Sequence, residues 1–168
     1  MEVTYEEFAR TRLAAFARYA VVLTGDTHSA QDLVQETMVR AQLQWKKVEA
    51  AESPERYVKR MMVNIYVDWR RGSWWKRILL HADPGAGLRV PGDVAEGAAD
   101  RDLVWTALAG LPRQQRAALV LRYYEDLPDI EIADTLGCSV GTVRGYISRA
   151  LATLRARMVP GLITGGTR

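Results

Sequence analysis

The sequence predicts an all-α protein built from two small helical domains, an N-terminal helical bundle and a C-terminal helix-turn-helix bundle, joined by a flexible linker. Three observations lead to this prediction. Apolar residues recur every three or four positions over long stretches, which is the period of an α-helix. Alternating apolar and polar runs, which are typical of strands, do not stand out. A segment rich in Gly, Ala, Pro and Asp interrupts the helical pattern, as a linker does: ILLHADPGAGLRVPGDVAEGAA.

The predicted domain boundaries follow from these changes in composition. Residues 1–77 form the first domain, residues 78–99 the linker, residues 100–159 the second domain and residues 160–168 a frayed tail. Apolar residues make up 48% of the 168-residue chain, which is enough for packed cores and argues against a disordered protein.

The first domain contains a well-marked helix predicted over Ser29–Trp45. Ser29, followed three residues later by Asp32, fits a capping box at the helix start. One row of residues recurs every four positions, with Val34 and Met38 beside it: Leu33, Thr37, Ala41 and Trp45. This row predicts the side of the helix that packs into the core.

A second helix is predicted over Pro54–Arg71, and Pro54 suits its first turn. Its predicted apolar stripe consists of Tyr57, Met61, Ile65 and Trp69. Val58 and Met62 form a second apolar row beside this stripe. Basic residues lie outside the stripe, and Trp69, Trp74 and Trp75 lie within or just beyond the basic block. Aromatic and basic side chains together are typical of surfaces that bind single-stranded nucleic acid. Core packing is the alternative for Trp69, and covering the end of the helical bundle is the alternative for Trp74 and Trp75.

The stretch Glu125–Met158 predicts a helix-turn-helix. In the first helix an apolar stripe recurs every three residues, and Gly137 ends the helix because glycine adopts the left-handed conformation readily. Ser139 is placed to cap the second helix. The stripe of the first helix consists of Ile130, Ala133 and Leu136. That of the second consists of Val140, Val143, Ile147, Ala150, Leu151 and Leu154.

The other face of the second helix is basic. Between Val140 and Met158 there are four arginines and no carboxylate. The polar face consists of Thr142, Arg144, Tyr146, Arg149, Arg155 and Arg157. A helix-turn-helix with a basic second helix is suited to the DNA major groove. An ordinary helical hairpin with a solvated face is the alternative.

Charge is distributed unevenly, although the net charge is only +3. Glu55–His81 holds seven basic and two acidic residues, whereas Ala82–Pro112 holds two basic and five acidic residues. Two basic blocks therefore flank an acidic spacer, which predicts two contact surfaces for a polyanion. The only cysteine, Cys138, excludes an intramolecular disulfide and a cysteine zinc cluster. We find no signal peptide and no run of about eighteen apolar residues, so we expect a cytoplasmic protein without membrane insertion.

Four segments in this order resemble a bacterial RNA polymerase sigma factor, specifically the small two-domain extracytoplasmic-function group. The segments are DLVQETMVRAQLQW, YVKRMMVNIYVDWRR, LPRQQRAALVLRYYEDL and ADTLGCSVGTVRGYISRALATLR. The resemblance covers about Tyr5 to Met158. It implies a transcription initiation factor that binds core RNA polymerase and directs it to promoter DNA. No catalytic residue, cofactor or metal is implied, and an anti-sigma protein is a further candidate partner.

The resemblance also implies roles for residues. The implied polymerase-docking surface consists of Asp32, Leu33, Gln35, Glu36 and Arg40. The residues implied to open the minus-ten element are Arg60, Asn64, Arg70 and Arg71, with the loop Lys46–Ser53 forming a pocket for a flipped-out base. The residues implied to read the minus-thirty-five element are Thr142, Arg144, Gly145, Tyr146, Ser148 and Arg149. Family members often carry a serine and then an arginine or lysine where this chain has Gly145 and Tyr146.

Two other classes of protein were considered. A helix-turn-helix repressor that binds duplex DNA by itself accounts for the second domain but not for the helices over Ser29–Arg71. An enzyme is disfavoured because His28 and His81 are the only histidines and lie in unrelated contexts. No Gly-rich phosphate loop, Ser/His/Asp arrangement or carboxylate cluster with metal-ligand spacing is legible.

Overall fold

A computed structural model describes the backbone of residues 2–69 and 107–163, with side chains up to Met158. Every regular element in these ranges is a helix, and the prediction of an all-α protein with two helical domains is confirmed. The chain divides into two compact units, Met1–Gly92 and Asp93–Arg168. The predicted linker, Arg70, Arg71, Trp74 and Trp75 lie outside the described residues, and the domain boundaries stay a prediction.

The first unit contains four described helices. These are α1 (Tyr5–Thr24), α2 (Thr27–Leu43), α3 (Trp45–Glu49) and α4 (Pro54–Asp68). Helices α1, α2 and α4 pack against one another, and α3 packs on α2 and α4. The largest fully buried side chains in this core come from all four helices: Phe16, Tyr19, Leu23, Leu33, Val34, Val48, Val58, Met62 and Val63.

Helix α2 begins two residues earlier than predicted, and the capping box is wrong. Asp26 has an extended backbone, and its carboxylate accepts a hydrogen bond from the Ser29 amide at 2.7 Å. Because Asp26 satisfies this amide, Ser29 already lies inside the first turn. The helix also ends at Leu43, so Trp45 begins α3 instead of extending α2. The Trp45 ring packs against the rings of Tyr5 and Phe8.

Helix α4 begins at Pro54 as predicted, with the Ser53 hydroxyl accepting from the Arg56 amide at 3.4 Å. Its buried row differs from the predicted stripe. Val58 and Met62 are fully buried, whereas Tyr57 and Met61 are only half-buried. The sequence places apolar residues on two adjacent rows, and packing against α1 and α2 covers the second row more completely.

Besides the helical residues 107–109, the second unit contains three helices whose full extent lies within the described residues. These are α5 (Arg113–Leu119), which continues as the π-helical segment Val120–Tyr124, then α6 (Asp129–Leu136) and α7 (Val140–Ile163). Helix α7 packs against α5 and α6. It runs past position 160, where we expected the tail to begin. No helix within 2–69 or 107–163 combines the length and apolar character needed to cross a bilayer.

The turn between α6 and α7 forms as predicted. Gly137 has φ = 66°, and the Ala133 carbonyl accepts from the amides of Gly137 and Cys138. The Ser139 hydroxyl accepts from the Thr142 amide at 3.1 Å, which caps α7. This geometry confirms the predicted helix-turn-helix.

The predicted apolar stripe of α6 is wrong at Ile130. This side chain is 70% exposed, while Ile132 is fully buried beside Ala133. Both isoleucines fit a helical period with a neighbour, so periodicity does not choose between them. The direction from which α7 packs decides that the face containing Ile132 and Leu136 is the inner one.

Candidate functional site

The residues implied to dock on polymerase lie on α2 and differ in how far their side chains are buried. Gln35 and Arg40 are exposed, and Asp32 is half-buried. Leu33 is fully buried, and Glu36 is 7% exposed. The expectation that Leu33 contacts a partner is therefore corrected, because a side chain enclosed by α1 and α4 supports the surface from beneath.

Glu36 links α2 to the residue that follows α4. One carboxylate oxygen accepts from Arg40 Nη2 at 2.8 Å, and the other accepts from Trp69 Nε1 at 3.1 Å. The Trp69 ring also contacts Tyr66 edge-on, with ring centroids 6.4 Å apart. Of the two alternatives for Trp69, these contacts favour a packing role in the fold over stacking on an unpaired base.

Two apolar residues on the outer side of α2 were not predicted as part of a site from the sequence. Val39 is 50% exposed and Leu43 is 81% exposed. Together with Gln35 they form one exposed row, because each follows the previous one by four residues. Single exposed apolar side chains are common, but two in a row beside Arg40 form a patch typical of protein interfaces. The sequence feature that could have identified them is that both residues are apolar but lie outside the stripe predicted to be buried.

Arg60 and Asn64 lie one turn apart on the exposed side of α4, and Arg56 precedes them by another turn. Lys59 lies elsewhere: its ammonium group is 3.4 Å from a Glu55 carboxylate oxygen and 5.3 Å from the centroid of the Tyr19 ring. The row at 56, 60 and 64 thus carries two guanidinium groups and one amide on the exposed side of α4. The exposed carboxylate of Asp68 follows at its end.

The stretch Lys46–Ser53, implied to form a base pocket, is only partly a loop because α3 extends to Glu49. A cavity of about 910 Å³ opens between this stretch and the start of α1. Its charged lining is mainly acidic: Glu2, Glu7, Glu49, Glu52 and Glu55 against Arg10 and Arg12. Carboxylates at this density repel a phosphodiester backbone, so the cavity does not support the base-pocket expectation.

The side chains predicted to read duplex DNA lie along the start of α7. Arg144, Ser148 and Arg149 are exposed, whereas Thr142, Gly145 and Tyr146 are half-buried. The side chain of Arg144 is 72% exposed. These residues occupy the N-terminal half of the second helix, the part of a recognition helix that meets base edges.

Arg149 packs across the two unusual positions of this face. Its guanidinium carbon lies 5.7 Å from the Tyr146 ring centroid, a cation–π arrangement. A Cβ atom at Gly145 would lie 3.4 Å from Arg149 Nη2. A Cβ atom at position 145 would therefore be in van der Waals contact with the guanidinium group. Gly145 and Tyr146 thus both border Arg149 on this face.

Other arginines also make contacts within the second unit. Arg144 Nε donates to Asp129 Oδ2 at 3.2 Å, and Arg122 Nη1 donates to Asp129 Oδ1. Arg157 Nη1 donates to the Ala107 carbonyl at 2.7 Å. Arg157 was predicted on the polar face of the second helix, but its guanidinium group is turned toward residues 107–110.

Two observations on the described residues concern the thiol of Cys138 and possible metal ligands. Burial raises the pKa of the Cys138 thiol, which keeps it protonated, whereas a nucleophilic cysteine needs a lowered pKa. Within residues 2–69 and 107–163 no three His, Cys, Asp or Glu side chains are grouped to hold a metal ion.

Comparison with known proteins establishes the family. Residues 5–76 match the model of Sigma-70 region 2, and residues 101–154 match that of Sigma-70, region 4. The chain is 35% identical over 155 residues to the RNA polymerase sigma-E factor of Streptomyces coelicolor, covering 92% of this chain and 86% of that protein. It is 32% identical over 160 residues to the ECF RNA polymerase sigma factor SigL of Mycobacterium tuberculosis, with the same coverage. The chain belongs to the extracytoplasmic-function sigma factors.

The sigma factor also shares its fold with a solved relative. The sigma factor RpoE from Bartonella quintana, crystallised in complex with the anti-sigma factor NepR, aligns with a TM-score of 0.67. The alignment covers 92% of this chain and 96% of that chain, at 21% identity. Membership of the family confirms a promoter-specific transcription initiation factor and not an enzyme. The interpretation as a repressor that acts without polymerase is set aside.

Proposed function

We propose that this sigma factor divides promoter recognition among three surfaces. The exposed row of α2 (Gln35, Val39 and Leu43) docks on core RNA polymerase. The exposed row of α4 (positions 56, 60 and 64) contacts the minus-ten element during opening, and the start of α7 reads the minus-thirty-five element. The observation that carries this division is the capped helix-turn-helix, whose second helix exposes Arg144 and Arg149 and contains no acidic residue from Val140 to Met158. The whole scheme is tested by run-off transcription on a genomic library, with and without this protein. Template-specific transcripts are expected only when it is added.

The residue types and the exposure of the α2 side chains support this docking surface. Gln35, Val39 and Leu43 supply an exposed polar and apolar row, and Arg40 is held beside it by the buried carboxylate of Glu36. Protein interfaces combine a desolvated apolar centre with polar groups at the rim. Asp32 borders this row, whereas Leu33 and Glu36 act by fixing the shape of the helix surface.

We expect Arg144→Ala and Arg149→Ala each to reduce transcription from a preferred promoter by about fivefold or more, because a good arginine contact to a guanine edge discriminates by roughly 1–3 kcal/mol. Polymerase binding should be unchanged, since both residues lie in the second unit. The measurements are run-off transcription and core-association assays on the same preparations. Arg155→Ala is the matched control, as it removes the same charge from the same helix nearly two turns further on. Normal transcription by both variants would place the reading face elsewhere.

We expect Arg60→Ala combined with Asn64→Ala to slow promoter opening by about tenfold, because the exposed row on α4 loses a cation and a polar contact to the separated strand. Opening is measured by the rate at which permanganate-sensitive thymines appear. A template whose minus-ten region is already mismatched is the control, and it should restore most of the transcription. An equal defect on both templates would assign these residues to binding instead of opening. Arg70 and Arg71 share this proposed role.

An anti-sigma protein is a further proposed partner. The support is the likeness in fold to the Bartonella quintana RpoE, which was crystallised with NepR. We also propose a cytoplasmic location, since polymerase and promoters reside there. Co-purification of a tagged copy with core polymerase from lysed cells, separated from the membrane fraction, tests both the location and the presence of such a partner.

A further inference from the structure

Asp129 sits between two arginines at the edge of the reading face. It is the first residue of α6, and its side chain is only 17% exposed. One carboxylate oxygen accepts from Arg122 Nη1, which belongs to the π-helical segment Val120–Tyr124. The other accepts from Arg144 Nε at 3.2 Å. The carboxylate therefore contacts Arg144, an exposed residue of the proposed reading face.

The atom that Arg144 uses in this contact decides what remains for DNA. A guanidinium group has five N–H donors in one plane, one on Nε and two on each Nη. Asp129 takes the Nε donor, which leaves both Nη groups at the exposed end of a side chain that is 72% accessible. Two Nη groups side by side are the fork that matches O6 and N7 of guanine.

Charge balance keeps this arrangement attractive to DNA. An unaccompanied carboxylate near a phosphate backbone would oppose binding, but Arg122 neutralises Asp129 from the other side. The three side chains together carry one positive charge, exposed mainly at Arg144. Asp129 also lies in the first turn of α6, where a negative charge is favoured by the helix dipole.

We infer that Asp129, held by Arg122, is a positioning residue that sets the orientation of the Arg144 fork and so the base preference of this sigma factor. The inference rests on the proposed reading role of Arg144. A long arginine side chain otherwise loses much rotamer freedom on binding, and fixing it beforehand lowers that cost. Asp129 acts through Arg144 and need not contact DNA.

The test uses full-length protein with core polymerase and a promoter library randomised across both recognition elements. Transcribed templates are sequenced to give the base preference at every position for wild type, Asp129→Ala, Asp129→Asn, Arg144→Ala and the double variant Asp129→Ala with Arg144→Ala. Asp134→Asn is the charge-matched control on the same helix. Circular dichroism verifies that each variant keeps its helices.

We expect both Asp129 variants to lower the base preference at the position that Arg144→Ala affects by about threefold or more. Adding Asp129→Ala to Arg144→Ala should have no further effect there, and Asp134→Asn should match wild type. A merely structural role would lower output on all templates equally. That result overturns the inference. A uniform rise in transcription on all templates with the base preference unchanged also overturns it, because Asp129 would then only compete with DNA phosphates for Arg144.

Failure of the proposed function is distinguishable from failure of this inference. If Arg144→Ala leaves base preference unchanged, Arg144 is not a reader and the positioning role falls with it. If Arg144→Ala removes a preference that both Asp129 variants retain, the reading role stands and only the positioning role is overturned.

Discussion

Replacing Leu43 with glutamate is expected to weaken association with core RNA polymerase by about thirty-fold or more. Leu43 is 81% exposed at the end of α2 and follows Val39 by one turn. Central apolar residues of an interface contribute roughly 2 kcal/mol or more when disrupted, and a charge in a desolvated contact adds its own cost. The sigma factor itself should remain folded, because neither side chain contributes much to the core.

The measurement is a titration of labelled sigma factor with core polymerase, repeated for Val39→Glu and Leu43→Glu. Val3→Glu is the matched control, because Val3 is 54% exposed in the same unit but lies outside α2. Affinity close to wild type for the two α2 variants would move the docking surface away from this row. A loss with Val3→Glu as well would point to a general effect of added negative charge.

Ile132→Ala is expected to destabilise the helix-turn-helix by about 2–5 kcal/mol, whereas Ile130→Ala should change its stability by less than about 0.5 kcal/mol. The two residues share a side-chain type and lie two positions apart in α6. Ile132 is fully buried and Ile130 is 70% exposed. Removing buried methylene groups loses their transfer free energy and leaves a cavity, while exposed ones lose neither.

Hydrogen exchange of backbone amides in the full-length protein measures this difference, because it reports the opening of α6 and α7 separately from that of the first unit. Faster exchange in Ile132→Ala and an unchanged pattern in Ile130→Ala are expected. Equal effects of the two substitutions would contradict the packing of α6 described above. The Ile132 variant should also lose promoter-specific transcription, since the reading helix rests on α6.

Local features of the chain could be predicted because their causes are local. Pro54 begins α4, Gly137 ends α6 in the left-handed conformation and Ser139 caps α7, each as the sequence indicates. Each depends on the geometry of a few neighbouring residues. The capping of α2 shows the limit of this reasoning: Asp26 and Ser29 are both suitable, and Asp26, three residues upstream of Ser29, is the N-cap.

The side of each helix that faces inward required the fold. Periodicity indicated two apolar rows on α4 and an inward face with Ile130 on α6. Packing buries Val58 and Met62 more completely than Tyr57 and Met61, and it buries Ile132 instead of Ile130. The same holds at Leu33, which lies in the segment that we propose docks on polymerase but has its side chain in the core. The contact of Asp129 with Arg144 spans 15 residues and follows no local period.

The sequence by itself determined the helical class, the helix-turn-helix and the family, because periodicity, turn residues and the order of motifs are all written along the chain. The tertiary structure decided which side chains remain for partners. Burial and side-chain pairing depend on residues far apart in sequence, and these contacts place Trp69 and Glu36 in the fold. Val39 and Leu43 remain exposed to solvent, and Arg144 donates a hydrogen bond to Asp129.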